Sequence, residues 1–116
     1  MLTNWEHLCE AIVVLSGPGS VKQRLTDAYT RHLSHLETAE LPREVRASLS
    51  LLEQAMTSSP RAGALSSAAA SVLKMSEGEA GRHAERIVRM FAGLRETASQ
   101  SSIRAVPVFR AVSGAD

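Results

Sequence analysis

The longest amphipathic pattern in the chain runs from Ser76 to Ala98, and it constrains the fold more than any other feature. Ser76 and Glu79 have the three-residue spacing of a capping box, which predicts a helix start. Apolar residues then recur every three or four positions and predict one buried helical face: Ala80, Ala84, Ile87, Val88, Phe91, Leu94 and Ala98. Because three glycines weaken the intrinsic helix propensity, packing of this face must stabilise the helix.

The composition of the chain favours one small helical domain. Its 116 residues suit a single domain, and 44% of them are apolar, a share typical of globular proteins. Aromatic residues supply only 3%, so we expect a core of aliphatic and small side chains, which favours close helix packing. A net charge of +1 disfavours nucleic acid and anionic membranes as dominant partners.

The N-terminal segment and the cysteine content predict a cytoplasmic protein. The longest N-terminal apolar run, Ala11 to Leu15, is too short for a signal-peptide core or a membrane span. Cys9 is the one cysteine of the chain and cannot form an internal disulfide, as expected in a reducing compartment. We therefore expect no membrane partner.

Helical spacings predict four helices before the one that starts at Ser76. The first is expected from Asn4 to Leu15, behind a capping box of Thr3 and Glu6. The others are expected over residues 20–37, 42–57 and 62–74. In the last of these, one face is expected to contain Leu65, Ala69, Val72 and Leu73. The expected fold is all-α, a compact bundle of four to five short helices, with the Ser76 helix packed mainly on the helices at 20–37 and 42–57.

The composition changes at Ser99, and the change predicts a second, irregular part of the chain. Residues 99–102 are polar and are expected to form a linker. Residues 103–112 are then expected to form a short extended apolar segment, which Pro107 interrupts. We therefore divide the chain into a helical bundle over residues 1–98 and a linker with an apolar tail over residues 99–116.

Two apolar segments are candidates for an interaction surface. Val13 and Val14 widen the apolar face of the first helix, and such a helix lies in the centre of a bundle or at an oligomer interface. The tail either docks on a partner or sister subunit, or folds back over its own bundle. The predicted interaction surface consists of Trp5, Ile12, Val14, Ile103, Val106, Val108 and Phe109.

A basic face is predicted on the outer side of the Ser76 helix. At 100° per residue, Arg82, Arg86 and Arg89 lie opposite the apolar face, where they are able to contact phosphates. Glu85 and Glu96 dilute this positive charge, and Glu85 is spaced for an ion pair with Arg89. A solvated face is therefore the favoured interpretation, and nucleic-acid contact is the alternative.

The chain contains no complete catalytic, cofactor or metal motif. His32 and His35 are spaced to meet one ion, but no second ligand pair accompanies them, and His7 lies apart beside Cys9 and Glu10. We interpret His32 as a core or boundary residue. We therefore predict no catalytic, cofactor-binding or metal-binding residue.

Residues 11–25 resemble the strand, loop and helix that open the P-loop kinases. The pattern requires a glycine at Lys22 and a Lys followed by Ser or Thr, but Gln23 follows Lys22 here. We interpret the glycine-rich break at residues 16–19 as a turn between two helices.

Three phrases, taken in order, resemble a group of small bacterial proteins to which no activity is assigned. They are GPGSVKQRLTDAYTRHL, ELPREVRASLSLLEQAM and KMSEGEAGRHAERIVRMF, and the likeness covers residues 10–95. The resemblance implies an all-helical fold and a bacterial origin, and it implies no activity.

The sequence as a whole suggests a non-enzymatic protein–protein interaction or regulatory domain, expected to self-associate or to bind another protein. One alternative is a nucleic-acid-associated protein that uses Arg82, Arg86 and Arg89. The other is a small-ligand or metal-binding bundle centred on His32 and His35.

Overall fold

The computed structural model describes the backbone of residues 2–61, 63 and 65–105, and the side chains of these ranges up to residue 96. Five α-helices follow one another along the described chain: α1 (Asn4–Leu15), α2 (Val21–Arg31), α3 (Arg43–Met56), α4 (Ser67–Lys74) and α5 (Glu77–Ala105). Two short 3-10 helices, Leu33–His35 and Thr38–Glu40, connect α2 to α3. The predicted all-α fold is confirmed.

Side-chain caps begin α1 and α5 as the capping-box spacings predict. The Thr3 hydroxyl accepts a hydrogen bond from the Glu6 amide at 3.1 Å, and the Glu6 carboxylate accepts one from the Thr3 amide at 2.9 Å. Ser76 and Glu79 repeat this reciprocal pair at 3.0 and 3.4 Å. Each box provides partners for amides that a helix start leaves without intrahelical acceptors.

The glycine-rich break forms a tight turn between two antiparallel helices, as expected. Gly19 has a φ of 99°, a left-handed conformation that suits a residue without a Cβ. Arg24 then reaches back from α2, and its Nη1 donates a hydrogen bond of 2.6 Å to the carbonyl of Leu15. A cation at the C-terminus of α1 favourably opposes the helix dipole. Because residues 11–15 are helical, the P-loop pattern has no strand here.

The core lies where α5 crosses the other helices. Helix α5 packs against α2 and α3, as predicted, and also against α1. The fully buried apolar side chains are nearly all aliphatic or Met: Leu8, Leu25, Leu33, Leu49, Leu52, Met56, Ile87 and Met90. The low aromatic content of the chain therefore corresponds to a core of short, interdigitating side chains.

The buried face of α5 differs from the predicted one at its edges. Ala80 and Ile87 are fully buried, but Val88 is 48% exposed, and Met90 takes the buried position instead. Ile87 faces the centre of the core; Met90 lies about 60° from it around the helix and Val88 about 100° from it on the other side. Met90 is therefore nearer to the centre of the buried face, and its long, flexible side chain also reaches the core.

Helix α4 is shorter and rotated relative to the prediction. It begins after Ser66, whose hydroxyl accepts a hydrogen bond from the Ala69 amide, and it buries Val72 while Leu73 is 67% exposed. The reason is a polar contact that hydropathy does not reveal. The buried Ser71 hydroxyl accepts a hydrogen bond of 3.0 Å from the Ser59 amide, and this bond turns the serine side of α4 inward.

Helix α2 ends at Arg31 and does not extend to residue 37 as predicted. The hydroxyls of Thr26 and Thr30 each donate to the carbonyl four residues earlier, a pattern that bends and weakens helices. Beyond this end, Asn4 of α1 holds the chain by two hydrogen bonds to the backbone of Glu37, at 2.7 and 3.0 Å. We call this pair of bonds the Asn4–Glu37 clamp.

The C-terminal part of the described chain corrects the linker prediction. Helix α5 continues through residues 99–105, where the sequence predicted a linker and the start of an extended segment. Neither Gly nor Pro occurs between Leu94 and Val106, so nothing in this stretch stops the helix. The tail beyond residue 105 lies outside the described residues, and the division of the chain at residue 98 stays a prediction.

Two adjacent leucines on α3 provide a test of the core. Leu52 is fully buried and Leu51 is 51% exposed. We expect Leu52→Ala to lower the free energy of unfolding by about 2–5 kcal/mol, because it removes buried methyl groups and leaves a cavity. Leu51→Ala, the matched control, is expected to change the free energy by about 0.5 kcal/mol or less. Urea denaturation followed by circular dichroism measures both, and equal losses would contradict this core.

Candidate functional site

A partly exposed aromatic pair joins α1 to α5. The rings of Trp5 and Phe91 stack with their centroids 4.8 Å apart and their planes at 25°. Trp5 remains 40% exposed, so one face of the pair is directed to solvent. Stacked aromatic rings bring a large apolar area with little loss of side-chain freedom when they are buried by a partner.

A shallow hollow continues this apolar area along α5. Its volume is about 390 Å³, and it is lined by Val88, Phe91, Ala92, Arg95 and Glu96. The first three side chains supply an apolar floor, and the last two supply a rim of opposite charges. We call Trp5, Val88, Phe91 and Ala92 together the α1–α5 apolar surface. An apolar centre with a polar rim is the usual anatomy of a protein–protein interface.

The structure separates the predicted interaction residues into three groups. Trp5 lies on the surface, within the α1–α5 apolar surface. Ile12 and Val14 are half-buried and pack against the core, whereas Val13, between them, is 63% exposed. Val106, Val108 and Phe109 lie outside the described residues. For Ile103 the backbone is described and the side chain is not.

Sequence reasoning missed the contribution of α5 to this surface. Val88 and Phe91 belong to the helical face that the spacing predicts as buried. The sequence does indicate that the predicted face is too wide to be buried throughout. Val88 lies 100° from Ile87 around the helix, so the two cannot both face the centre of the core. The packing of α5 on its neighbouring helices leaves Ile87 buried and Val88 exposed.

The predicted basic face consists of two different environments. Arg82 and Arg89 are exposed, and Arg89 forms an ion pair of 3.4 Å with Glu85. An exposed pair of this kind contributes little to stability. Arg86 is half-buried, and its Nε has no hydrogen-bond partner among the described residues. These side chains and Ser48 of α3 line a hollow of about 220 Å³.

His83 lies beside this basic face, and its surroundings disfavour its protonated form. Burial is the first cause that lowers its pKa, and the positive charge of Arg86 is the second, while Glu79 acts in the opposite direction. The buried Nδ1 of His83 has no hydrogen-bond partner within the described part of the chain. Protonation at this position would bring a second charge next to Arg86.

Three histidines from two separate segments meet on another side of α1, near the same N-terminal end as Trp5. The Nδ1 atoms of His7, on α1, and His32, directly after α2, are 3.2 Å apart. The ring of His35 stacks on that of His7, with centroids 5.9 Å apart and planes at 27°. Burial lowers the pKa of His32, with a further contribution from His7, whereas Glu10 raises it. We call His7, His32 and His35 the histidine cluster.

Sequence reasoning identified two of the three members of this cluster. The spacing identifies His32 and His35 as neighbours, but His7 lies 25 residues before His32, and only the antiparallel packing of α1 on α2 joins them. Among the described residues, no group of three or more His, Cys, Asp or Glu side chains is arranged to hold a metal ion.

Comparison with known proteins leaves the site to be interpreted from its own geometry. No protein-family model, no curated protein and no solved structure matches the chain. The resemblance drawn from the three phrases therefore stays a prediction. Within the described residues, no helix has both the length and the apolar character needed to cross a membrane.

The surroundings of His83 predict a dependence of stability on pH. Since its pKa in the folded chain lies below the ordinary 6.5, the unfolded chain binds more protons as the pH falls below that value. The free energy of unfolding is therefore expected to decrease between about pH 7 and about pH 5, and His83→Gln is expected to make this decrease shallower. Urea denaturation at a series of pH values measures the slope. An unchanged slope in the variant would contradict the assignment to His83.

Proposed function

We propose that the protein is a non-enzymatic helical interaction domain that self-associates through the α1–α5 apolar surface. The observation that carries the proposal is the stack of the exposed Trp5 on the half-buried Phe91, which continues into the apolar hollow at Val88. A buried stack would only stabilise the fold. A stack with one side in solvent, next to an apolar hollow, also provides an anchor for a partner.

The rim of the hollow favours a second copy of the chain as that partner. Arg95 and Glu96 are adjacent, exposed and of opposite charge. In a twofold-symmetric dimer the same surface is used twice, so the Arg95 of one copy is able to lie opposite the Glu96 of the other. The net charge of +1 adds little repulsion between two copies.

The regular spacing of the surface along α5 suits helix-to-helix contact. Phe91 and Ala92 come three and four residues after Val88, on one side of the helix. The small Ala92 side chain allows a neighbouring helix to approach closely. We therefore propose antiparallel pairing of two copies of α5, with Trp5 at the edge of the contact.

We further propose that this association takes place in a reducing compartment, the cytoplasm. Cys9 is a free, half-buried thiol on α1. It requires no oxidative partner for folding, because the core is formed by apolar packing alone.

A second candidate function is nucleic-acid binding at the basic face. Its support is the hollow that Arg82, Arg86 and Arg89 line together, which places three guanidinium groups around one space. The ion pair of Arg89 with Glu85 and the near-neutral net charge weigh against it. Self-association remains the proposal that the geometry supports better.

A charge placed in the apolar hollow tests self-association. We expect the wild-type chain to show a concentration-dependent increase of molar mass in light scattering, and Val88→Asp to weaken the association constant about tenfold or more, because it buries an unpaired carboxylate. Leu73→Asp is the control, since Leu73 is an aliphatic residue on α4 that is 67% exposed, against 48% for Val88. This control is expected to associate like the wild type.

Tryptophan fluorescence provides an independent readout of the same prediction. Trp5 is the one tryptophan of the chain, so its emission reports on the proposed surface alone. We expect a blue shift as the concentration of the wild-type chain increases, and none for Val88→Asp. A wild-type chain that remains monomeric at all concentrations, or a variant that associates normally, would contradict the proposal.

A salt titration tests the second candidate function. If the basic face binds nucleic acid, then binding weakens steeply with salt, and replacing Arg82, Arg86 and Arg89 by Gln lowers the salt slope by about two to three. The control removes the same charge elsewhere, by Gln at the exposed Arg43, Arg46 and Arg61. Absence of binding at low ionic strength, or equal losses in both variants, would exclude the basic face.

A further inference from the structure

We infer that His7 and His32 form a binding site for a divalent transition-metal ion of the zinc class, located where α1 meets the chain after α2. The site differs from the α1–α5 apolar surface, and the inference does not rest on self-association. It uses two imidazole nitrogens as protein ligands, and water completes the coordination of the ion.

The spacing of the two nitrogens matches two ligands of one ion. Zinc lies about 2.0–2.1 Å from an imidazole nitrogen, so two such ligands at a tetrahedral angle are about 3.3 Å apart. The two Nδ1 atoms in the structure are 3.2 Å apart. The separation of the two nitrogens therefore allows one ion to contact both.

The same distance also suits a hydrogen bond, and the two arrangements exchange without a net change in protons. In the metal-free cluster, one Nδ1 carries a proton, and this N–H donates a hydrogen bond to the unprotonated Nδ1 of the other ring. When an ion binds, that proton moves to the Nε2 of its own ring through solvent. Both rings remain neutral, and neutral imidazole is the form that ligates metals.

The surroundings of the pair place one carboxylate near the ligands and limit the movement of the ligands. The Glu10 carboxylate acts on His32 as a nearby negative charge, whereas burial and the neighbouring His7, Arg31 and His35 oppose a positive charge there. The ring of His35 stacks on His7 and limits its rotation. The Asn4–Glu37 clamp holds α1 against the segment that follows His32. Ligands positioned in advance lose little freedom on binding.

A neighbouring imidazole distinguishes this pair from His83. His7, His32 and His83 are all half-buried, but the ring nitrogens of His7 and His32 lie next to each other, whereas His83 lies on α5 beside Arg86. A single imidazole supplies too few ligands to hold a zinc ion. His83 is therefore a negative control within the same chain.

Isothermal titration calorimetry of the full-length chain with zinc chloride tests the site. We expect one ion per chain, and a loss of affinity of about tenfold or more in both His7→Gln and His32→Gln, because each removes one of two ligands. His83→Gln, the matched control, is expected to bind zinc like the wild type. Zinc is also expected to raise the Tm of the wild type and not of the two ligand variants.

Two further measurements keep the inference testable if a ligand variant does not fold. Zinc is expected to shift the imidazole NMR signals of His7 and His32 in the wild-type chain and to leave those of His83 unchanged. Magnesium, which prefers oxygen ligands, is expected to give neither heat nor shifts. The inference is overturned by an absence of zinc binding, by equal binding in all variants, or by zinc shifts at His83 alone. If Val88→Asp binds zinc like the wild type, then zinc binding does not depend on the dimer surface.

Discussion

Contact of one face of α5 with three other helices is the interaction on which the rest of the structure depends. Ile87 and Met90 are fully buried at this crossing, and Ala80 allows close approach near the start of the helix. Three glycines weaken α5 as an isolated helix, so tertiary burial must hold it. The remaining faces of α5 are therefore free to carry other features, and both the apolar hollow and the basic face lie on them.

The sequence predicted the parts of the fold that local chemistry determines. Capping boxes gave the starts of α1 and α5, and apolar spacing gave the all-α bundle. The sequence-based prediction was wrong where a contact between distant residues decides which side of a helix is buried. The Ser59–Ser71 hydrogen bond sets the rotation of α4. The helices that pack on α5 leave Val88 exposed. The candidate sites follow the same rule. Trp5 and the pair of His32 and His35 were recognisable from sequence, whereas their partners Phe91 and His7 become apparent only through packing.

Helix α1 links the two proposed sites while using different sides of one short element. Trp5 faces α5 and contributes to the apolar surface, whereas His7, two residues later, faces the chain after α2. Leu8 and Ala11 anchor the helix in the core between these two contacts. Any movement of α1 would therefore alter both sites together, and the stability of its core contacts sets how independently they act.

The Asn4–Glu37 clamp also has a consequence for the order in which the molecule assembles. It joins residues 33 positions apart, whereas the turn at residues 16–20 brings α1 and α2 together locally. Loop-closure entropy favours the local pairing first, so the clamp closes late in folding. Its two bonds are exposed, and they are accordingly among the first to open. Hydrogen exchange of the Glu37 amide thus reports the local opening of this clamp and not the global unfolding of the bundle.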